Sequence, residues 1–376
     1  MARKASTASS SSIPSIANVA ALAGVSSATV SRVLSGKRVK DDDIDRRVRE
    51  AAQQLHYEVN HAARALRSDA ANAVGLITPD AGDPFVAGII NELDPLLCAK
   101  STQLLLGIGS TAESMEWQIT AMAARQVDGL IIAATPSLDL AEVLERHAQR
   151  IPIVQIGGAQ RLFCTSMIGV DSAASMTATL RHLADSGARS AAFIDDGHRA
   201  GAYLTNGGGA FDAGALSAAF TAQTSDFGIF TRPEWNIVDR GKARSTMTGT
   251  PAMRIGFDHA MRLFDDEAND ITTTTEDADG FRQRPEALIC TNDAIALGAM
   301  YALHTLGLRI PQDVRIVSHG DAPLAVAAMP QLTSQQPPIR QIATEAMRLM
   351  AANRDCPSHV FLPSRLVVRE STRQIR

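Results

Sequence analysis

Between Ser15 and Leu55 the apolar positions fall at helical spacing. Ile16, Val19, Ala20 and Ala23 mark the inner face of a short helix running from Ile16 to Ala23, and Gly24 permits the turn that ends it. Ser26 is a natural cap for a second helix. Its inner face is Val30, Val33 and Leu34, and its outer face is Ser27, Ala28, Ser31 and Arg32. A third helix starts near Asp41-Asp42-Asp43, where carboxylates suit a helix N-terminus, and carries Ile44, Val48, Ala51 and Leu55 as one stripe. Two short helices around a glycine turn, the second with a small, polar, basic face, are the layout of a helix-turn-helix that reads the DNA major groove. Residues 1–14 read as a disordered leader and 15–59 as the helix-turn-helix domain. Residues 60–72 form a linker whose helical pattern, Asn60 to Arg67, is too short to be stable alone and orders only against a partner.

From residue 73 the pattern changes to apolar runs alternating with helical stretches. Strands are expected at Ala73–Thr78, Leu104–Ile108, Gly129–Ala134, Ile153–Gly157, Met167–Val170, Ala191–Asp195, Trp235–Val238, Ala287–Cys290 and Val314–Ser318. Apolar strands separated by helices predict parallel sheets covered on both faces, and their number exceeds one comfortable sheet, so two α/β lobes are expected. Asn206-Gly207-Gly208-Gly209 reads as a flexible loop, and the acidic, Thr-rich Asp265–Arg284 as an exposed, mobile insertion.

Composition alone names no partner: 45% of the 376 residues are hydrophobic, 20% are charged, and the net charge is −4. Its distribution does. Residues 1–67 hold 11 Lys or Arg against 6 Asp or Glu, a net of +5, while the remainder holds 25 against 34, a net of −9. A basic head can sit on phosphates while an acidic body is kept off them. Cys98, Cys164, Cys290 and Cys356 show no metal-ligand spacing and read as buried thiols in a reducing compartment. Met1–Ser12 has no apolar secretory core and no apolar run reaches membrane-spanning length, so no membrane partner and a cytoplasmic, nucleoid-associated location are expected.

The strings Asn18-Val19-Ala20-Ala21-Leu22-Ala23-Gly24-Val25-Ser26, Thr29-Val30-Ser31-Arg32-Val33-Leu34 and Leu55-His56-Tyr57-Glu58-Val59-Asn60-His61-Ala62-Ala63-Arg64-Ala65-Leu66 resemble the LacI/GalR family of bacterial transcription regulators. The resemblance continues through Val74-Gly75-Leu76-Ile77-Thr78-Pro79-Asp80 with Asp83-Pro84-Phe85, Val127-Asp128-Gly129-Leu130-Ile131, Thr291-Asn292-Asp293 with Ala296-Leu297-Gly298-Ala299, and Leu366-Val367-Val368-Arg369-Glu370-Ser371. It implies an all-α helix-turn-helix head and hinge helix, joined to a two-lobed α/β body of the periplasmic-binding-protein type I fold with parallel sheets. By the family's three crossovers, effector-binding and dimerisation domain 73–376 divides into lobe one, about 73–171 and 336–361, and lobe two, about 172–335 and 362–376.

The resemblance implies a homodimeric repressor on a pseudo-palindromic double-stranded operator, released by a small effector, a sugar or sugar derivative, bound between the lobes. Ser27, Ala28 and Arg32 would face base edges, and Ser26, Thr29, Ser31 and Lys37, with its neighbours Arg38 and Lys40, the phosphates. Tyr57 and Asn60 lead into the hinge, where Leu66 would wedge into the minor groove beside Ala63 and Arg64. Family ligand contacts fall at Asp80, Phe85, Asp171 and Asn292. Two departures stand out. Phe211-Asp212-Ala213-Gly214 replaces an Arg-x-x-Gly pattern, so Phe211 stands at the arginine's place, and Ser318-His319-Gly320-Asp321 replaces Gly-Phe/Tyr-Asp-Asp. Arg199 or Asp321 could supply the missing charges.

Two other function classes remain: a sugar-binding transport protein of the same lobe fold, which the basic head opposes, and a nicotinamide-dependent enzyme. The latter rests on Gly107-Ile108-Gly109-Ser110-Thr111-Ala112, a short, common pattern that leaves the head unexplained. His147, His182, His259 and His304 read as surface or packing residues; no catalytic motif, metal site or cofactor is expected.

Overall fold

A computed structural model describes residues 14–34, 42–57, 71–133, 138–157, 162–195, 211–236, 250–265, 284–352 and 357–373. The chain divides into two units, Met1–Ala71 and Asn72–Arg376. The first unit holds α1 (Ile16–Ala23), α2 (Ser27–Leu34) and α3 (Asp43–Gln54). Each begins with a side chain that satisfies otherwise orphaned helix N–H groups. Ser15 and Asn18 form a reciprocal capping box. Ser26 Oγ accepts from Thr29 N at 3.2 Å. Asp42 Oδ1 accepts from Ile44 N and Asp45 N. Gly24, at φ 64°, ends α1. Val19, Ala23, Val30, Val33, Val48 and Ala51 close the core, with Leu55 and Tyr57 packed against it.

The second unit contains two sheets. β1 (Ala73–Thr78), β2 (Gln103–Ile108), β3 (Gly129–Ile132), β4 (Ile153–Ile156), β5 (Ser166–Val170) and β10 (His359–Leu362) form one, in the order β10-β5-β4-β3-β1-β2. All its pairings are parallel. α4 (Pro84–Cys98), α5 (Ala112–Ala124), α6 (Ala141–Ala148) and α12 (Ile339–Ala351) belong to this lobe. Its core joins Leu76, Val86, Ile89, Leu93, Ile131 and Val154 to Ile342, Ala346 and Leu349 of α12.

The other sheet has the order β11-β9-β8-β7-β6, built from β6 (Ala191–Ile194), β7 (Ala287–Cys290), β8 (Arg315–His319), β9 (Thr333–Gln336) and β11 (Arg365–Val367). Four strands are parallel, but β11 pairs antiparallel to β9. α7 (Ser172–Asp185), α8 (Ala213–Gln223), α9 (Pro251–Phe264), α10 (Asp293–Thr305) and α11 (Pro323–Ala327) accompany it. The chain passes between lobes after β5, after β9 and after β10.

Several local expectations are corrected. Trp235 lies in a 3-10 turn, Pro233–Asn236, rather than a strand. Proline lacks the N–H that a ladder needs, and Trp235 turns inward against the Phe230 ring at 5.7 Å. Asn236 Oδ1 then accepts from Phe193 N at 2.8 Å, beside the backbone bridge that Phe230 makes to the start of β6, while residues 237 and 238 of the expected strand lie outside the described residues. β9, β10 and β11 were absent from the expected strands. Of the cysteines, Cys290 is buried, but Cys98 is exposed and Cys164 half-buried; Cys356 lies outside the described residues. The Gly-rich loop at 206–209 and nearly all of the expected insertion also fall outside them. Among the described residues, no single helix is long and apolar enough to cross a membrane, and no group of three His, Cys, Asp or Glu is placed to hold a metal.

α9 and α10 cross at two glycines. A Cβ on Gly256 would fall 1.9 Å from Ile295 O, and one on Gly298 would fall 1.9 Å from Met253 O. The backbones meet where neither helix can carry a side chain. Gly298→Ala should destabilise the body by about 1–3 kcal/mol, the usual cost of overpacking, read as a lower midpoint in thermal or urea unfolding. An unchanged midpoint would mean that the crossing relaxes freely.

Candidate functional site

The DNA-facing candidates follow from how α2 is packed. Val30 and Val33 point into the head core, which leaves Ser26, Ser27, Ala28, Ser31 and Arg32 exposed and Thr29 half-buried. Ser26 Oγ is already occupied in the cap and lies 2.9 Å from Thr29 Oγ1, so these two hydroxyls shape the helix start. Ser27, Ala28, Ser31 and Arg32 remain as the outward face, with Arg32 in the last turn. Small residues let a helix approach base edges, and arginine supplies paired donors. On α3, Arg46 and Arg47 pair with Asp43, and Arg49 with Asp45 at 2.6 Å. Tyr57 is half-buried against the head core. Lys37, Asn60, Ala63, Arg64 and Leu66 lie outside the described residues, as do Arg38 and Lys40.

In the body, parallel strands bring helix N-termini to the carboxyl ends of both sheets, where ligands bind in open α/β folds. Most polar candidates are helix caps there. Asp171 accepts from Ala174 N at 2.9 Å and begins α7; Asn292 accepts from Ile295 N at 2.9 Å and begins α10. Asp80, after β1, folds back to accept from Gly82 N at 2.8 Å. Asp83 caps α4, and burial raises its carboxyl above the usual range. Each of Asp171, Asn292 and Asp80 is half-buried.

Two expected ligand contacts are placed otherwise. Phe85 is 7% exposed and forms part of the lobe-one core, so its ring is packing rather than a cleft wall. Asp321 is not a free acid. Its side chain is 4% exposed, with Oδ1 2.6 Å from Arg369 Nη2 and Oδ2 accepting from Gln336 Nε2 at 2.8 Å. A buried carboxylate so paired cannot turn to a ligand without leaving Arg369 unmatched. Gly320, at φ 142°, has Asp293 Oδ2 3.1 Å from where a Cβ would lie. Asp293 is buried and accepts from Ser318 Oγ, Ser334 Oγ and Ala322 N, with burial raising its carboxyl pKa. Arg199 lies outside the described residues.

Phe211 does reach the interlobe region. It packs against the lobe-one core and against the lobe-two core around Leu216 and Phe220, with its ring edge-on to His319 at 5.2 Å. Sequence reasoning noted His319 only as part of a departure. It ends β8 and is 1% exposed, with Nδ1 3.0 Å from Cys290 O; burial pushes its pKa down to about 4. The ring is therefore neutral at pH 7, with Nδ1–H donating and Nε2 keeping its lone pair.

The crossovers meet at Gln335. Its Nε2 donates to Ser175 O at 2.9 Å and Thr179 Oγ1 at 3.1 Å, and its Oε1 accepts from Ser364 Oγ at 2.7 Å. Ser364 Oγ lies 2.6 Å from Ser175 Oγ, which in turn donates to Asp171 O. Polar groups beside all three interlobe passages thus share one network, buried at Gln335 and half-buried at Ser364. The glycines of the suspected dinucleotide motif have a packing reason instead: a Cβ on Gly109 would fall 2.7 Å from Met115 N of α5.

Residues 15–60 match the family described as "Bacterial regulatory proteins, lacI family", and residues 180–372, just over half the chain, match the "Periplasmic binding protein-like domain". An HTH-type transcriptional repressor PurR from Erwinia tasmaniensis is 27% identical over 87% of this chain and 86% of its own length. A catabolite control protein A from Staphylococcus xylosus is 24% identical over 93% and 96%. Among solved structures, the lac repressor dimer bound to operator and the anti-inducer ONPF superimposes with a TM-score of 0.73 at 21% identity, covering 96% of this chain and 99% of that one. The transcriptional regulator CelR in complex with cellobiose gives 0.62 at 23%, covering 95% and 99%. The chain belongs to the lacI family of bacterial regulatory proteins: it is a transcriptional regulator with a DNA-binding head and a periplasmic-binding-protein-like effector domain.

Proposed function

We propose that the protein binds a pseudo-palindromic operator as a homodimer and is released when a sugar or sugar derivative binds between its lobes. The observation that carries this reading is the exposed Ser27-Ala28-Ser31-Arg32 face on a helix whose other side is locked into the head core. Lys37 adds a phosphate contact, and Tyr57, Asn60, Ala63 and Arg64 lead to Leu66 as a minor-groove wedge. Asp80, Asp171 and Asn292 offer polar groups to the effector, and the cellobiose complex of a protein with this fold supports a carbohydrate ligand. Effector and operator oppose each other by linkage: whatever factor one costs the other is returned in kind.

The homodimer has its own support. β2 is an edge strand, and its Leu106 and Ile108 are 46% and 52% exposed; Trp117 of α5, the helix packed on that strand, is 66% exposed. Apolar side chains along an open edge favour a second protein surface over water.

Fluorescence anisotropy with DNA from upstream of the protein's own gene tests the main reading. A sequence-specific complex that weakens steeply with salt is expected; its absence at moderate salt sinks the repressor assignment. In the same assay Arg32→Ala should cost about 1–3 kcal/mol and relax base choice at one operator position. A uniform loss over all sequences would instead make Arg32 a phosphate contact. Leu66→Ser should weaken operator binding far more than non-specific binding, since only the kinked operator uses the wedge; equal losses would remove that role. Ile108→Glu should give monomers by sedimentation together with weak operator binding, and an intact dimer would place the interface elsewhere.

A further inference from the structure

Among the described residues, Ser172 Oγ, just beyond β5, Thr291 Oγ1, just beyond β7, and His319 Nε2, at the end of β8, are buried near the carboxyl ends of the strands without a hydrogen-bond partner, and Asp321 Oδ1 there has only its ion pair with Arg369. Buried polar groups are nearly always paired, so unsatisfied ones at the ligand-binding end of an α/β sheet point to something that binds there. Over His319 stands Phe211. It packs against the cores of both lobes. It immediately precedes Asp212, whose carboxylate caps α8, so a rigid helix start holds its backbone.

We propose that the Phe211 ring is a resident plug of the effector cleft: it fills the place of a ligand ring between the lobes and covers His319 until an effector displaces it. The proposal rests on the reading of the body as an effector-binding domain and adds the chemistry of one subsite. Nδ1–H of His319 is committed to Cys290 O, so Nε2 can only accept. A displacing ligand must therefore bring an O–H or N–H donor for Nε2. It must also bring a ring face or other apolar surface to replace the packing that Phe211 gives up. An uncharged ring compound with at least one hydrogen-bond donor meets both demands, whereas an anion would meet a lone pair where it needs a donor.

Diethyl pyrocarbonate acylation of the full-length protein, followed at the His319 peptide by mass spectrometry, tests the plug. In the wild type, His319 should react at least about tenfold more slowly than the exposed His56, His304 and His359, because reaction needs local opening. In Phe211→Ala it should approach their rate. Phenol, a ring with one donor, should restore protection to Phe211→Ala by refilling the vacated space and should leave the wild type unchanged. Fast reaction in the wild type, continued protection in Phe211→Ala, or no effect of phenol on that variant would each overturn the plug. Should Phe211→Ala fail to fold, Phe211→Leu keeps an apolar bridge between the lobes, lacks the covering ring, and is read by the same rates. No DNA enters these measurements. A protein that shows the plug but no operator complex would lose the repressor reading alone, and the converse result would lose the plug alone.

Discussion

The amide of Gln335 is the point on which the body depends. Both ends of this side chain are consumed inside the protein, by Ser175 and Thr179 on one side and Ser364 on the other. These residues stand beside the three places where the chain passes between lobes, so a single buried amide ties the passages together. Breaking one such bond leaves a desolvated group unpaired, at a cost of about 1–3 kcal/mol. The passages are therefore held in fixed relation, and any change of lobe angle pivots about them. A binding domain needs this combination, with two rigid sheets and a narrow, well-defined joint. The neighbouring Asp321–Arg369 pair serves the same stiffness, because it fastens the turn after β8 to the strand-end region beyond β11.

The head was legible in the sequence because its determinants are local. Ser15, Ser26 and Asp42 cap helices within three residues of themselves, and the apolar stripes repeat at the helical period. The apolar strands of the body were legible for a similar reason, since strands buried on both faces leave unbroken hydrophobic runs. β9 was not. Thr333-Ser334-Gln335-Gln336 reads as a polar loop, yet its first three residues are fully buried, because each polar side chain finds a partner far away in sequence. Trp235 erred the other way: its apolar neighbours suggested a strand, while Pro233 made a turn and sent the ring into the core.

The cleft was legible only in outline. A sequence shows that Asp171 and Asn292 are polar residues preceding helices, but it cannot separate a cap from a ligand contact, and these residues sit where both roles are possible. Nor can it show that Asp321 is already matched to Arg369, or that Phe85 is enclosed. The orphan atoms of Ser172, Thr291 and His319 become visible only when every surrounding group has been placed. Phe211 is the instructive case: the sequence showed that an expected arginine was replaced, and three-dimensional packing shows that the replacement touches both lobes.

The Asn236 side chain on the edge of β6 has a consequence beyond local satisfaction. A terminal strand with bare backbone groups invites another chain to extend the sheet. Here the Phe193 N–H is occupied by an amide oxygen that cannot continue a ladder. The same margin carries Phe230, whose carbonyl accepts from Ala191 N at 3.0 Å, so two consecutive outward N–H groups of β6 are occupied by a short irregular segment and one amide rather than by a further regular strand among the described residues.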